Sequence, residues 1–515
     1  MINIKNRTFT QSEAPKSTVR LFEFVSFFKE ALFQFNSFFM LLYIQLASPI
    51  AQNVNFTTMF FLISMVLIFS KILAGFCWSI SSHFLETGSF KYGRFRTMTF
   101  IGSSLSTLFS FLTFFIAPLC GTGWSYVIAF LIFYTCSECV FSINDIAYWS
   151  FVNKMSYDEG RRSKILGITN LTASFGSYLI TALSPAISAG NAKRNMTIMM
   201  IILLSCFFIV HMIYSALMFE RADDETIDLK HNGKLFESLR IMFTDKQVFL
   251  VIFCFFLVFV SQDMIAGNTS AYFYYEYGYG GFGVNGVSGG LSGGTVSFIF
   301  SLCFGVAVCL ASFVFPYIAK PLGKKKTILY SILAVIIAYL FLFFFAFVRG
   351  REIALFITTF LLGFFHGLIL MALNVNVVNV AEYYQAKTGK ERSASIQAGK
   401  ALAIKTANGI QTGVFYIFLA LSPNLLAVNR QVANLEAMNN RGELEGNIIN
   451  EINSYIHGFD GIEKSLSIYR VSITLLPMLV LSLAVFLAFF VYVTDEKKYM
   501  EYVEEVKKQK KQSVR

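Results

Sequence analysis

Glu138, Ser142, Asp145 and Trp149 recur at i, i+4, i+7 and i+11 inside an apolar run that begins near Trp124, so on a helix they form one stripe. At 1.5 Å per residue, Asp145 lies about 10.5 Å along the axis from Glu138. A charged side chain at the middle of an apolar spanning segment costs about 2.5–3.5 kcal/mol on insertion scales. Two acids, a hydroxyl and an indole on one face therefore suit the wall of a polar chamber. Carboxylates accept hydrogen bonds from hydroxyl-rich solutes, and an indole offers a flat apolar face. The alternative for these residues is a buried polar knot that holds helices together.

Other apolar runs carry polar residues of the same kind. The first has Lys29, Glu30, Gln34 and Ser37, the second Lys71, and the fifth Asn170, Ser174 and Ser177. The seventh has Gln262 and Asp263, the tenth Asn374, Asn376 and Asn379, and the eleventh Lys405, Asn408 and Thr412. Amides and hydroxyls are ordinary interhelical hydrogen-bonding groups. The acids and Lys405 ask for more, and Lys71, Glu138, Ser142 and Asp263 are candidates for coupling or charge balance.

The elements that must position these groups follow from composition. Of 515 residues, 55% are hydrophobic and 14% charged. Apolar stretches long enough to cross a hydrocarbon layer of about 30 Å recur along the whole chain. We expect an all-α membrane protein of twelve spans, at about 23–46, 56–80, 97–118, 124–152, 165–188, 196–218, 247–275, 293–319, 327–348, 353–382, 398–422 and 466–494. The first twenty residues are polar and give no signal-peptide pattern.

The spans divide six and six, giving bundles over 23–218 and 247–494. Around them lie an N-terminal segment 1–22, a polar connection 219–246, an outer loop near 423–465 and a basic tail 495–515. "KYGRFR" and "KPLGKKK" follow the second span of each half, which fits a transporter of two parallel repeats with its site between them. Lys and Arg crowd one set of loops, so the positive-inside rule puts both termini in the cytoplasm of a plasma-membrane protein. The net charge of +11 reflects that asymmetry and contact with lipid heads rather than a nucleic-acid partner.

Several motifs lead elsewhere. "GYGGFG" at Gly278–Gly283 lacks the preceding strand of a phosphate cradle and reads as a flexible outer loop. Eight scattered cysteines and five histidines show no metal spacing, so no metal is expected. Without a nucleophile–base pair or a cofactor motif, an enzyme is not expected either.

"NDIAYWSFVNKMSYDEGRRSKI", "KYGRFRTM" and "VNVAEYYQAKTGKERSASIQ" together resemble, in order, three signatures of the glycoside–pentoside–hexuronide:cation symporters. These are the melibiose permease-like branch of the major facilitator superfamily. The resemblance runs from the first to the eleventh span and implies two six-helix bundles with a small sugar or glycoside bound between them. It implies substrate contacts at Glu30, Asp145, Trp149 and Lys405, and Gln34 extends the stripe of Glu30. Asn170 stands where the family has an arginine, which disfavours a hexuronide. Arg94, Arg96, Arg161, Arg162 and Lys324 fall in basic turns that would close a cytoplasmic gate against helix ends and acids such as Asp158 and Glu382.

The chain departs from the family at the ion site, where Ala74 and Trp78 replace two sodium-binding aspartates and Lys71 stands beside them. Sodium requires several oxygen ligands. The departure makes sodium doubtful and points to the proton as coupling ion, carried by Glu138. A facilitator or exchanger, with Lys71 or Lys405 as built-in cation, is the alternative. A lysophospholipid-type transporter or a non-transporting sensor is less favoured.

Overall fold

The computed structural model describes residues 2–3, 8–9, 13–87, 90–156, 159–221, 237–286, 289–388, 393–444, 446–488 and 501. It is almost wholly helical; three two-residue strands, β1 (Ile2–Asn3), β2 (Thr8–Phe9) and β3 (Glu220–Arg221), form a minor sheet. The first span is α1 (Lys16–Gln34), a π-turn at Phe35–Phe39 and α2 (Met40–Leu46). α3 (Phe56–Thr87), α4 (Arg94–Phe111), α5 (Trp124–Met155), α6 (Glu159–Ser188) and α7 (Ala192–Leu217) complete the first set. After the short α8 (Glu237–Thr244) come α9 (Lys246–Tyr277), α10 (Gly293–Leu322), α11 (Lys324–Phe341), α12 (Glu352–Thr388) and α13 (Ser393–Ala420). α14 (Pro423–Arg441), α15 (Ile448–Gly458), α16 (Ile462–Ile473) and α17 (Leu475–Ala488) follow.

Among the described residues, eleven stretches are long and apolar enough to cross a membrane, and α13 joins them only when counted with α14, from which it turns by 100°. The reason lies in α13's own composition, since Lys400, Lys405, Asn408, Gln411 and Thr412 lower its apolarity. It is held instead by packing on α3 and α9. The last span also differs from the expected continuous helix, breaking at Thr474 between α16 and α17.

Helices of the first set pack chiefly on one another, as α3 and α4 on α5 and α1 on α6 and α7. Those of the second do likewise, as α11 and α10 on α12 and α17 on α9. The main contacts between the sets are α3 on α13 and α6 on α10. Small residues permit the approach: a Cβ on Gly75 would meet Leu402 at 2.6 Å, and one on Gly305 would meet Tyr178 at 2.5 Å.

One end of the molecule, remote from the basic loops, is closed by backbone contact between the sets. Phe282 donates its N–H to Ala186 O at 3.4 Å, and Tyr274 donates its hydroxyl to Pro185 O. The "GYGGFG" stretch is thus not a free loop at its start. Gly278 to Gly281 are buried, and a Cβ on Gly281 would lie 2.0 Å from Ala186 O.

Candidate functional site

The acids that the sequence singled out converge on buried lysines. Lys29 of α1 is fully buried, and its Nζ donates to Glu30 Oε1 at 2.5 Å and to Asp145 Oδ1 at 2.6 Å. Three aromatic rings of α5 surround the ammonium, with Trp149 nearest at 5.0 Å and Tyr148 and Phe141 slightly farther. Aromatic faces attract a cation, so the rings compensate part of its lost hydration. The two carboxylates are more open than the lysine behind them: Glu30 keeps 20% of its side-chain surface and Asp145 16%. Trp78 of α3 donates Nε1 to Asp145 Oδ2 at 3.1 Å. The sequence identified Trp78 only as the loss of a carboxylate. Here it is a donor that orients one.

The second cluster is drier. Lys71 of α3 donates to Glu138 Oε1 at 2.7 Å and to Ser37 Oγ at 3.0 Å, and both ionic side chains are 2% exposed. Lys405 of α13 brings its Nζ to 4.0 Å from Glu138 Oε2 without a hydrogen bond, over the Phe33 ring at 4.1 Å. Phe141 stands between the clusters, 5.8 Å from Lys29 Nζ and 5.2 Å from Lys405 Nζ. Ser142 donates to Ala74 O at 2.9 Å and to Glu138 O at 3.1 Å, so its hydroxyl is spent on helix backbone.

Asp263 of α9 accepts from Asn408 Nδ2 at 2.5 Å, and no cation among the described residues lies within 4.0 Å of it. Gln34 lines a small cavity of about 10 Å³ with Thr181, Ser184 and Ser297, spanning α1, α6 and α10. Asn170 is exposed on α6, and no described contact brings it to either cluster.

The basic turns are placed separately. Arg161 donates Nη1 to Glu13 Oε2 at 2.7 Å. Arg96 uses its backbone N–H, which Glu220 Oε1 accepts at 2.5 Å at the start of α4, where Arg94 is the first residue. Glu382 is half-buried near the end of α12, and Lys324 opens α11. Asp158 and the Arg162 side chain lie outside the described residues, as do the connection 222–236 and most of the tail.

A cluster of pre-paired acids, partly open and backed by a buried cation, can accept hydrogen bonds from a polar solute without carrying several uncompensated charges. Among the described residues no group of three or more His, Cys, Asp or Glu could hold a metal ion.

The sequence model of the family described as MFS/sugar transport protein matches residues 53–438. No curated protein matches in sequence. Solved structures match in fold at low identity. The nucleoside transporter NupG aligns with a TM-score of 0.54 and 12% identity over 93% of this chain and 100% of its own. The Escherichia coli fucose:proton symporter FucP gives 0.53 and 13% over 92% and 98%. A D-xylose–proton symporter gives 0.52 and 14% over 88% and 96%.

Proposed function

The chain belongs to the MFS/sugar transport protein family, a multi-pass membrane transporter rather than an enzyme, and on that premise we propose that it moves a small sugar or glycoside by alternating access. The observation that carries this reading is the convergence of Glu30 and Asp145, from two helices, on a lysine more deeply buried than either. Lys29 leaves the pair one net negative charge and holds both carboxylates in place. Their remaining lone pairs take sugar hydroxyls while Trp149, already beside them, supplies the platform. Lys405 lies one aromatic layer away, beyond Phe141.

The branch within the family is that of the glycoside–pentoside–hexuronide symporters, with an altered ion site. Lys71 Nζ, held between Ser37 and Glu138, supplies from inside the protein the positive charge that a bound cation would bring. That arrangement disfavours sodium and supports proton coupling through Glu138, with Asp263 as a second carboxyl. An uncoupled facilitator is the second reading, and the same lysine favours it. With the basic loops cytoplasmic, the closed end faces outside and the site is approached from the cytoplasm, the gate being formed by Arg94, Arg96, Arg161 and their partners.

The test is uptake into proteoliposomes with a panel of labelled monosaccharides and glycosides, with sodium and pH gradients imposed separately. Accumulation driven by pH alone supports the proton reading. Equilibration without accumulation under either gradient supports the facilitator. Absence of flux and of binding for every sugar overturns the substrate assignment.

A further inference from the structure

Apart from both clusters, the closed end of the molecule buries an acid of its own. Glu436 of α14 is fully buried where α14 lies across the closed end of the molecule. Its carboxylate is taken up by the other helix set: Oε1 accepts from Gly190 N at 2.9 Å, in the turn between α6 and α7, and Oε2 from Ala192 N at 2.8 Å, at the first residue of α7. Tyr279, from the connection between α9 and α10, donates its hydroxyl to Oε1 at 2.6 Å. Asn439, one helical turn on, donates to Gly190 O at 3.0 Å. Tyr279 is itself fixed to α15, since Asn453 accepts from its N–H at 2.6 Å and donates to its carbonyl at 2.9 Å.

Among the described residues, no lysine or arginine forms a salt bridge with this carboxylate. Lys193 and Arg194, two and three residues past the turn, are exposed on α7. On α14 itself, Arg430 reaches Asn53 O and Arg441 pairs with Glu443. Tyr274 and Tyr279 are the titratable neighbours from the α9 side. The acid's partners are therefore three neutral donors, two of them backbone amides of the opposite set. Charge-assisted bonds of this kind are roughly twice as strong as neutral ones. A buried carboxylate whose main anchorage lies across a seam is costly to leave unpaired, so it biases the seam toward closure.

We propose that Glu436 is the catch of the outer gate: it fastens α14 to the α6–α7 turn while the outer end is closed, and this fastening must be released each time the site is exposed to the outside. Glu436 is a positioning residue, since it touches neither cluster. The idea rests on the alternating-access reading for its meaning, but its test needs no substrate.

The test is hydrogen–deuterium exchange of the full chain in lipid nanodiscs, comparing wild type with Glu436→Gln and Tyr279→Phe. Gly190 and Ala192 donate the amides that the carboxylate protects. Glu436→Gln is expected to speed exchange in peptides covering 188–194 about tenfold or more, while α15 peptides 448–458 change less than twofold. Tyr279→Phe is expected to give a smaller increase in the same peptides. Equal acceleration in α15 would mean a general loosening of the outer segment and would overturn the proposal. Unchanged exchange at 188–194 in Glu436→Gln would overturn it as well. Should Glu436→Gln fail to fold, Tyr279→Phe decides alone, and exchange there within twofold of wild type counts against the catch. Loss of sugar flux with the exchange result intact would remove the transport reading and leave the fastening in place.

Discussion

Removing Lys29 tests whether the acids are held or merely adjacent. Its ammonium is fully buried and makes two charge-assisted bonds of 2.5 and 2.6 Å. Lys29→Met keeps much of the volume and removes the charge, leaving Glu30 and Asp145 to repel one another in a partly dry site. Breaking a buried pair by removing one partner costs about 3–5 kcal/mol, whereas replacing both partners by neutral groups is often nearly neutral. Since the two acids keep 20% and 16% of their side-chain surface, water relieves part of the penalty, and the lower end, about 3 kcal/mol, is expected. Asp145→Asn in the Lys29→Met background should recover roughly half of that loss, because neighbours in one network are not additive. The assay is the apparent thermal midpoint in detergent, with equilibrium binding of the transported solute as a second readout. If Lys29→Met melts with the wild type, or if the double variant loses the sum of the two single losses, Lys29 does not hold these acids.

Further outcomes follow from named contacts. Trp78→Phe keeps a ring but removes the donor to Asp145 Oδ2, and should cost about 1.5 kcal/mol in solute binding, the low end for a bond to a charged group; titration calorimetry reads it, and unchanged affinity rejects the orienting role. Glu138→Gln should abolish pH-driven accumulation while leaving solute exchange between preloaded vesicles; full accumulation would remove Glu138 from coupling. Gly281→Ala places a Cβ about 2 Å from a carbonyl that belongs to the other helix set, so it should weaken outer closure and speed exchange at 188–194, whereas an unchanged pattern would show that the seam tolerates it.

Much of this was legible along the chain because spans and acid stripes are local patterns. The stripe of Glu138, Ser142, Asp145 and Trp149 needs only helical periodicity, and the structure keeps all four on α5. Partners are a different matter. Lys29 binding Asp145 joins residues 116 apart, and Lys71 binding Glu138 joins residues 67 apart, so helix packing alone determines which cation meets which acid. Trp78 was read as a missing carboxylate because nothing in its neighbours shows that its N–H reaches α5. The segment after α13 reads in sequence only as an outer loop near 423–465, because nothing local shows that Glu436 meets the amides of another helix set. The break at Thr474 does have a mark in the sequence, Pro477, which has no N–H to give the carbonyl of Ile473 and so interrupts the helix at that turn.

The two clusters differ in which contacts a rocking motion would disturb. Lys29, Glu30, Trp78 and Asp145 lie on α1, α3 and α5, and Lys71, Ser37 and Glu138 on α3, the π-turn of the first span and α5, so a rigid movement of the first set carries them together. Lys405 belongs to α13 of the second set, and its 4.0 Å approach to Glu138 is the one ionic contact among the described residues of these clusters that crosses between sets. Moving the sets apart withdraws that positive charge from Glu138 while Lys71 stays. The motion itself would therefore change the charge that faces Glu138. Lys405→Gln should therefore leave the fold and the Lys71–Glu138 pair intact yet lower the accumulation ratio under a fixed pH gradient. Wild-type accumulation in that variant would show that the crossing contact is packing and that coupling resides elsewhere, with Asp263 the next residue to change.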